Sequence, residues 1–322
     1  MEIDMERMCL AKSARGIILK PFELSERVLI ENHLAEFKPV VSDLNFTAMF
    51  MWRNFYKTVF AMVDGFLCIV CGGRDGHPYM LPPVGNGGPE VLSEVIASLK
   101  DCFEANGSRL IVKNADAGFC NTAKQLKAFD LEIIPDRDNS DYIYLTRDLI
   151  ELRGKRFDAK RNHINKFNKT YEYTVETFDR IDFDQETITG CMDLAKMWSE
   201  DHDCGNDEGI LLEYHANLEL LKNFGELDLK GIAVRVAGKI EGYSIGSMLN
   251  SDTVVIHTEK ANYEIQGIYA FINRTFIEKS WSGTTFVNRE EDIGIEGIRK
   301  AKLSYNPCRL EDKYTIVFGE DC

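Results

Sequence analysis

Acidic and basic side chains follow one another closely in the stretch NREEDIGIEGIRKAKLSYNP near the end of the chain. Asn288, Glu290 and Asp292 are spaced by two, so an extended segment would turn all three to one side. Arg299 and Lys302 are three apart and would share one face of a short helix. A carboxylate can hold an amino group or take its proton, and a cation can stabilise an oxyanion or a phosphate. The spacing predicts a substrate site, or alternatively a structural network of ion pairs around the last helix.

A second group of polar side chains lies in the predicted strand VVIHTEK. His257 and Glu259 are spaced by two, so regular alternation would turn both to one face, and Lys260 follows them. We predict that Glu259 acts with Glu290 and Asp292 as a catalytic carboxylate. A single His in a strand is more often a packed, hydrogen-bonded residue, so His257 is not included in this catalytic set.

The stretch GKRFDAKRNHINKF is strongly basic, although the chain of 322 residues has a formal net charge of −14. Residues 153–169 contain seven Lys or Arg and one acid, Asp158. At helical spacing, its apolar side chains form one core-facing stripe, made of Phe157, Ile164, Phe167 and Tyr171. The side chains predicted to bind a polyanion, such as a tRNA acceptor stem, are Lys155, Lys160, Arg161 and Asn162. The alternative is a solvated linker helix that pairs with the surrounding acidic surface.

The secondary structure must hold these groups in place. Helical spacing, alternation and hairpin turns predict the order α-α-β-β-β-α-β-α-β for the C-terminal half. The N-terminal half repeats this order more loosely. We therefore predict an α/β fold (α+β, mixed sheets) in two tandem domains, with the basic helix lining the cleft between them. The predicted segments are an N-terminal extension 1–15, a first domain 16–150, a basic linker helix 151–172 and a second domain 173–322.

This element order resembles a tandem GNAT acyltransferase fold, as in Fem-type peptidoglycan aminoacyltransferases and the soluble part of phosphatidylglycerol lysyltransferases. The likeness covers nearly the whole chain and is closest to uncharacterised bacterial proteins named after the phosphatidylglycerol lysyltransferase C-terminal domain. Three stretches carry it: GKRFDAKRNHINKF, IHTEKANYEIQGIYAFIN and NREEDIGIEGIRKAKLSYNP.

GNAT enzymes that use acyl-CoA have a Q/R-x-x-G-x-G/A loop, whose backbone N–H groups hold the pyrophosphate at a helix N-terminus. The matching stretch here is EIQGIY. Gly267 matches the central glycine, but Glu264 would repel a pyrophosphate and the Tyr269 ring would fill the space it needs. Both departures disfavour acyl-CoA, and no cofactor is firmly implied.

The resemblance implies transfer of an aminoacyl group, with aminoacyl-tRNA as donor, to an amine or hydroxyl on a small molecule, a peptide or a lipid headgroup. The remaining residues predicted to bind substrate are Lys260, Gly267, Asn288, Arg299, Lys302 and Tyr305. Two alternatives stay open: an acetyl-CoA-dependent N-acetyltransferase, and a non-catalytic module that binds a ligand or RNA.

The composition limits the remaining possibilities. No run of about 18 apolar residues occurs, and the N-terminus lacks the features of a signal peptide, so we expect a cytoplasmic protein without an integral membrane segment. The nine scattered cysteines are expected to be free thiols. The group of His202, Asp203, Cys204 and His215 fits no standard metal spacing, so no metal site is predicted.

Overall fold

The computed structural model describes residues 17–73, 76–202 and 207–321. The chain folds into two compact units, one made of the residues up to 141 together with those from 311 onward, the other of residues 142–310. The basic stretch belongs to the second unit. The predicted N-terminal extension, residues 1–15, lies outside the described residues.

The described parts of the chain contain twelve strands and ten α-helices, numbered in chain order. The strands are β1 (Lys20–Pro21), β2 (Val59–Val63), β3 (Phe66–Gly72), β4 (Pro78–Met80), β5 (Ile111–Ala115), β6 (Phe129–Leu145), β7 (Tyr173–Asp179), β8 (Lys230–Val236), β9 (Lys239–Met248), β10 (Thr253–Ala261), β11 (Phe286–Asn288) and β12 (Arg309–Asp321). The helices are α1 (Arg27–Phe37), α2 (Phe46–Tyr56), α3 (Pro89–Ala105), α4 (Ala117–Ala123), α5 (Thr146–Glu151), α6 (Asp158–Thr170), α7 (Gln185–Asp201), α8 (Glu208–Lys222), α9 (Ile268–Ser280) and α10 (Glu296–Leu303).

The first unit contains the strand order β1-β2-β3-β4-β5-β12. Its pairs are antiparallel except for β4 and β5, which run parallel. Helix α3 supplies much of the apolar core, because Leu92, Val95, Ile96, Leu99 and Phe103 recur at helical spacing and are buried together. The buried Lys313 lies between Asp43 and Asp141 and pairs with both carboxylates.

The second unit contains the strand order β6-β11-β10-β9-β8-β7. Here β10 and β11 run parallel and all other neighbours are antiparallel. Helix α9 packs on this sheet through its buried side chains, which include Ile268, Ile272 and Phe276. The predicted mixed α/β fold is confirmed.

The element order predicted for the C-terminal half matches the structure from α7 to β12. Three features differ from the predictions. The sequence predicts no strand at β7. It predicts one strand over DYIYLTRDL, residues 141–149, whereas β6 begins at Phe129 and the segment from Thr146 onward forms α5. A helix of six residues is too short to show helical periodicity. The start of β6 does alternate, with Phe129, Leu131 and Ile133 packed against the core and separated by Asp130 and Glu132, and the prediction overlooked this signal.

The apolar stripe predicted in the basic stretch is confirmed. Phe157, Ile164 and Phe167 are buried in the core of the second unit, and Tyr171 packs against it. Within the part of the chain that the structure describes, no helix is long and apolar enough to cross a bilayer. The six cysteines among the described residues are free thiols.

Candidate functional site

The parallel strands β10 and β11 pair over only a short distance. Their ladder runs from Thr253 opposite Phe286 to Val255 opposite Asn288. Strand β10 then continues to Ala261, whereas β11 ends at Asn288. The ladder between the two strands therefore stops directly before the polar stretch that follows β11, and four residues before Glu259 on β10.

Beyond the end of this ladder, a largely buried ion pair joins Arg289, directly after β11, to Glu259 on β10. Arg289 Nη2 donates to Glu259 Oε1 at 3.1 Å, and the two side chains are only 13% and 11% exposed. Asn273 Nδ2 of α9 donates to Glu259 Oε2 at 3.2 Å. The Glu259 carboxylate therefore accepts hydrogen bonds from two different segments, and its pairing with Arg289 fixes the position of the guanidinium.

A second cation, Lys160 of the basic helix, lies on the same aromatic ring as Arg289. Lys160 Nζ lies 3.7 Å from the centroid of the Tyr305 ring, and the guanidinium carbon of Arg289 lies 5.0 Å from it. The negative face of an aromatic ring attracts both cations. We call the set Lys160, Glu259, Asn273, Arg289 and Tyr305 the cation cluster.

The cation cluster has an excess of positive charge in a water-poor place. Desolvation and the nearby Arg289 charge lower the pKa of Lys160 from its usual 10.5 to about 8, with Glu259 opposing them. Burial raises the pKa of Tyr305, so its phenol stays neutral. Two cations facing one carboxylate favour an anion or a developing oxyanion, and low local polarity strengthens that attraction.

A chain of hydrogen bonds leads from β9 to Glu290, beside the cation cluster. Ser247 Oγ and His257 Nε2 are 2.8 Å apart, and His257 Nδ1 and Glu290 Oε1 are 3.4 Å apart. Because a carboxylate only accepts, Nδ1 donates to Glu290 and Nε2 accepts from the Ser247 hydroxyl. Burial lowers the pKa of His257 from 6.5 to about 3, so its ring is neutral at neutral pH.

The prediction that strand alternation turns His257 and Glu259 to one face is wrong. The β9–β10 register shifts between Ile256 and Thr258, which places a bulge at His257. His257 contacts Ser247 and Glu290, whereas Glu259 contacts Asn273 and Arg289. The two residues therefore have separate partners.

This buried imidazole predicts a specific dependence of stability on pH. Between about pH 6.5 and 3 the unfolded chain binds a proton at His257 that the folded protein does not, so the free energy of unfolding falls as pH falls. We expect His257→Gln to remove this part of the slope, measured by urea unfolding at several pH values. The control is His163→Gln, which replaces an exposed His side chain of the same unit and should change the free energy of unfolding at neutral pH by less than about 0.5 kcal/mol. Equal slopes for wild type and His257→Gln would contradict the neutral, buried state.

The prediction that Asn288, Glu290 and Asp292 face one side is also wrong. The chain turns immediately after β11, with Glu290 at φ 56° and Ile293 at φ 46°. Asn288 is fully buried and its Oδ1 accepts from the Glu290 backbone N–H at 2.8 Å, which shapes the turn. Glu290 turns towards the imidazole of the hydrogen-bond chain, while Asp292 is buried elsewhere.

Asp292 is the centre of a supporting network. Its carboxylate accepts from Tyr142 Oη at 2.6 Å, from Arg299 at 2.8 and 2.9 Å, and from the Gly294 backbone N–H at 3.0 Å. Lys302 Nζ donates to the backbone oxygens of Arg289 and Glu291. These contacts match the structural alternative, because they fix the segment between β11 and α10 and thereby position Arg289.

Most of the other predicted binding residues lie apart from the cation cluster. Lys260 is buried with Glu213 as its partner, and its Nζ lies 3.2 Å from the centroid of the Trp198 ring. Arg161 donates to the backbone oxygens of Leu152 and Gly154 and pairs with Asp158, so it closes the end of α5. The side chains of Lys155 and Asn162 are exposed on the basic stretch.

The first turn of α9 is closed by the basic helix. Gly267 has φ 91°, and a Cβ added there would overlap the backbone carbonyl of His163 on α6. The Tyr171 hydroxyl accepts from the Gln266 backbone N–H at 3.2 Å. The Tyr269 hydroxyl accepts from Trp198 Nε1 and donates to the Ala261 backbone oxygen. A pyrophosphate would have to compete with these contacts, which weighs against acyl-CoA.

The sequence reasoning missed Arg289, Asn273 and Ser247. Arg289 lies between two predicted residues, and alternation alone would have turned it away from them. Asn273 is a polar residue that directly follows the apolar run of α9 and is buried in the structure, so a polar side chain at this point of the helix is a usable signal. Ser247 is found only from the β9–β10 register.

Among the described residues, no group of three or more His, Cys, Asp or Glu is arranged to hold a metal ion. Asp203 and Cys204, which the sequence analysis considered as metal ligands, lie outside the described residues.

Comparison with known proteins gives three informative matches and a family model. The model described as phosphatidylglycerol lysyltransferase, C-terminal, matches residues 34–317. A conserved protein of unknown function from Bacteroides thetaiotaomicron is 34% identical with a TM-score of 0.86, covering 94% of this chain and 100% of that one. The structure of L-PGS from Bacillus licheniformis has 13% identity and a TM-score of 0.64 over 90% of this chain and 91% of that one, which shows the fold alone. An uncharacterised protein of Mycoplasmoides gallisepticum is 25% identical over 193 residues, or 58% of this chain and 59% of that protein's length.

Proposed function

Since this chain belongs to the phosphatidylglycerol lysyltransferase C-terminal family, we propose that it is an aminoacyltransferase. The proposed donor is aminoacyl-tRNA, and the acceptor is an amine or a hydroxyl on a lipid headgroup, a peptide or a small molecule. The observation that carries the proposal is the cation cluster, in which Lys160 and Arg289 face the single carboxylate Glu259 where the β10–β11 ladder ends.

The proposed reaction forms one bond to the carbonyl carbon of the donor and breaks another. The acceptor nitrogen or oxygen forms a bond to the ester carbonyl carbon of the donor, and the bond from that carbon to the tRNA ribose oxygen breaks. The proton that the acceptor loses ends on the departing ribose oxygen. The enzyme must hold the two reactants together, stabilise the negative charge on the carbonyl oxygen and relay this proton.

The residues of the second unit fit these roles. Lys160 and Arg289 would stabilise the oxyanion as cations in a place of low polarity. Glu290, whose side chain is 28% exposed and which receives a hydrogen bond from His257, would take the acceptor proton and pass it on. Glu259 would position Arg289 through their largely buried pair, and Asp292 would support the segment that carries Arg289 and Glu290.

The contacts at Gly267 support an ester donor over acyl-CoA, because α6 occupies the approach to the first turn of α9. Exposed lysines lie on the basic helix, in the same unit as the cation cluster. Their positive charges could bind the phosphates of a tRNA backbone. Lys155 precedes α6, whereas Lys166 and Lys169 lie towards its C-terminal end.

Binding of aminoacyl-tRNA should depend steeply on salt, because each phosphate contact releases counterions. Replacing Lys155 and Lys166 together by Gln is expected to remove about two contacts and to flatten the log–log slope by roughly 1.5 to 2. Filter binding over a range of salt concentrations measures this slope. The matched control replaces two exposed lysines elsewhere in the unit, Lys222 and Lys279, which changes the net charge equally. No binding at low salt, or equal flattening by both pairs, would remove the support for a tRNA donor.

A further inference from the structure

Lys160 lies in the cation cluster without a direct ionic partner. Its Nζ contacts the face of the Tyr305 ring, 3.7 Å from the centroid. Among the residues that the structure describes, no carboxylate forms a salt bridge with this ammonium group, and no oxygen accepts a hydrogen bond from it. Asp158, two residues earlier on the same helix, pairs with Arg161 instead. No neighbouring negative charge therefore fixes the proton on Lys160 by direct contact.

The other lysine that lies on an aromatic ring in this unit has such a partner. Lys260 Nζ is 3.2 Å from the centroid of the Trp198 ring, and it also pairs with Glu213. Burial lowers the pKa of Lys260, but the Glu213 carboxylate opposes that change. The Lys260 side chain is only 7% exposed, so a reagent in solution hardly reaches it. Lys160 differs in both respects, because it is only partly buried and has no direct ion pair.

The second cation of the cluster favours the uncharged amine of Lys160. The Arg289 guanidinium carbon lies 5.0 Å from the centroid of the same Tyr305 ring, and Glu259 is bound to Arg289 and Asn273. Desolvation and the Arg289 charge lower the pKa of Lys160 to about 8, with Glu259 opposing them. At pH 7, about one molecule in ten then carries the uncharged amine, against roughly one in 3,000 for an ordinary lysine.

An uncharged, accessible amine is a nucleophile for activated acyl groups, and the surroundings of Lys160 favour an acyl phosphate. A phosphate that leaves here would leave beside the Arg289 guanidinium, which stabilises its negative charge. An acyl-CoA thioester is less suited, because the contacts at Gly267 occupy the approach to the first turn of α9. We propose that Lys160 is a modification site that takes acyl groups from small acyl phosphates.

The modification forms an amide at Lys160. The nitrogen bonds to the acyl carbon, and the bond from that carbon to the phosphate oxygen breaks. The phosphate leaves with the bonding electron pair, and the nitrogen gives up one proton to water. The amide is uncharged, so acylation removes one of the two cations of the cation cluster. The acylation itself does not depend on the proposed aminoacyl transfer, whereas its expected effect, a loss of transfer, rests on that proposed function.

Treatment of the full chain with acetyl phosphate tests the modification. Mass spectrometry of the digested protein measures the rate of acetylation at each lysine. At pH 7 we expect Lys160 to react at least about fivefold faster than the more exposed Lys155, Lys166 and Lys169, because its larger fraction of free amine outweighs its weaker basicity. This preference should disappear towards about pH 10.5, where ordinary lysines also lose their protons. Acetylation that follows exposure at every pH would overturn the proposal.

Replacing Arg289 by Gln separates the effect of charge from that of exposure. The change removes the repelling cation and releases Glu259 to pair with Lys160, so acetylation of Lys160 should slow at least about threefold. A merely loosened site would expose Lys160 and speed its acetylation up, which would contradict the proposal. Lys279→Gln changes the net charge equally and should leave the rate at Lys160 unchanged. Thermal melts check folding, and the pH series on wild type decides the question if Arg289→Gln does not fold.

The effect on transfer is measured separately. Treatment with acetyl phosphate should lower aminoacyl transfer by wild type, but not the transfer that remains in Lys160→Arg, whose guanidinium is not acetylated. An equal fractional loss in both proteins would overturn the regulatory role of Lys160. Wild type that transfers nothing before treatment would contradict the proposed function alone, since acetylation at Lys160 is measured without tRNA.

Discussion

Replacing Lys160 by Gln is expected to lower the rate of aminoacyl transfer by on the order of 10²- to 10³-fold, as for the loss of one oxyanion donor. The free energy of unfolding should stay the same or rise, because the folded protein desolvates this ammonium and places it near Arg289. A loss of activity without a loss of stability separates a role in the reaction from a role in the fold. Single-turnover kinetics and urea unfolding of the same preparation measure both.

Two further variants make this expectation specific. Lys279→Gln removes an exposed charge elsewhere in the unit and should leave the rate within about twofold, as ordinary for a surface change. Lys160→Arg keeps the positive charge at high pH. The wild-type rate should therefore fall, relative to Lys160→Arg, as pH rises through about 8 and the ammonium loses its proton. A full rate for Lys160→Gln would contradict the assigned role.

The same pKa sets the sign of a stability effect. Between about pH 8 and 10.5 the unfolded chain keeps a proton on Lys160 that the folded protein has lost. The stability of wild type should therefore rise over this range, relative to Lys160→Gln.

Replacing Gly267 by Ala is expected to lower the free energy of unfolding by roughly 2 to 5 kcal/mol. Alanine is strained at φ 91°, and its Cβ would overlap the backbone carbonyl of His163, which cannot rotate away as a side chain can. Helix α6 would have to move off the start of α9. Urea unfolding with a fixed m-value measures the change.

Gly283 is the matched control, since an added Cβ there meets nothing within 4 Å and the backbone is not left-handed. Gly283→Ala should change the free energy of unfolding by less than about 0.5 kcal/mol. If Gly267→Ala were as stable as Gly283→Ala, α6 would not close the first turn of α9, and the argument against acyl-CoA would lose its structural support.

The sequence predicted the features that depend on local periodicity. The stripe of Phe157, Ile164 and Phe167 follows from helical spacing alone, and the structure buries all three. The resemblance in three stretches predicted the family, and the match over residues 34–317 confirms it.

The features that the sequence missed depend on contacts between distant segments. Lys160 and Arg161 are adjacent and chemically alike, yet Lys160 meets Tyr305 while Arg161 closes the end of α5. Nothing in their spacing separates these roles. The partners of His257 could not be predicted either, because they depend on a bulge and on a left-handed turn at Glu290. The residue types at these positions indicate neither feature.

The most direct test of the proposed aminoacyl transfer is a single-turnover reaction with tRNA charged with radiolabelled amino acids. Purified protein would be mixed with this donor, with vesicles of anionic and neutral lipid, and with soluble amines and peptides. The account predicts that label leaves the tRNA and enters a new ester or amide, at a rate that Lys160→Gln reduces and Lys279→Gln does not. Label that stays on tRNA, or is released only as free amino acid at the rate seen without protein, would contradict it. So would transfer of an acetyl group from acetyl-CoA to the same acceptors in the absence of tRNA.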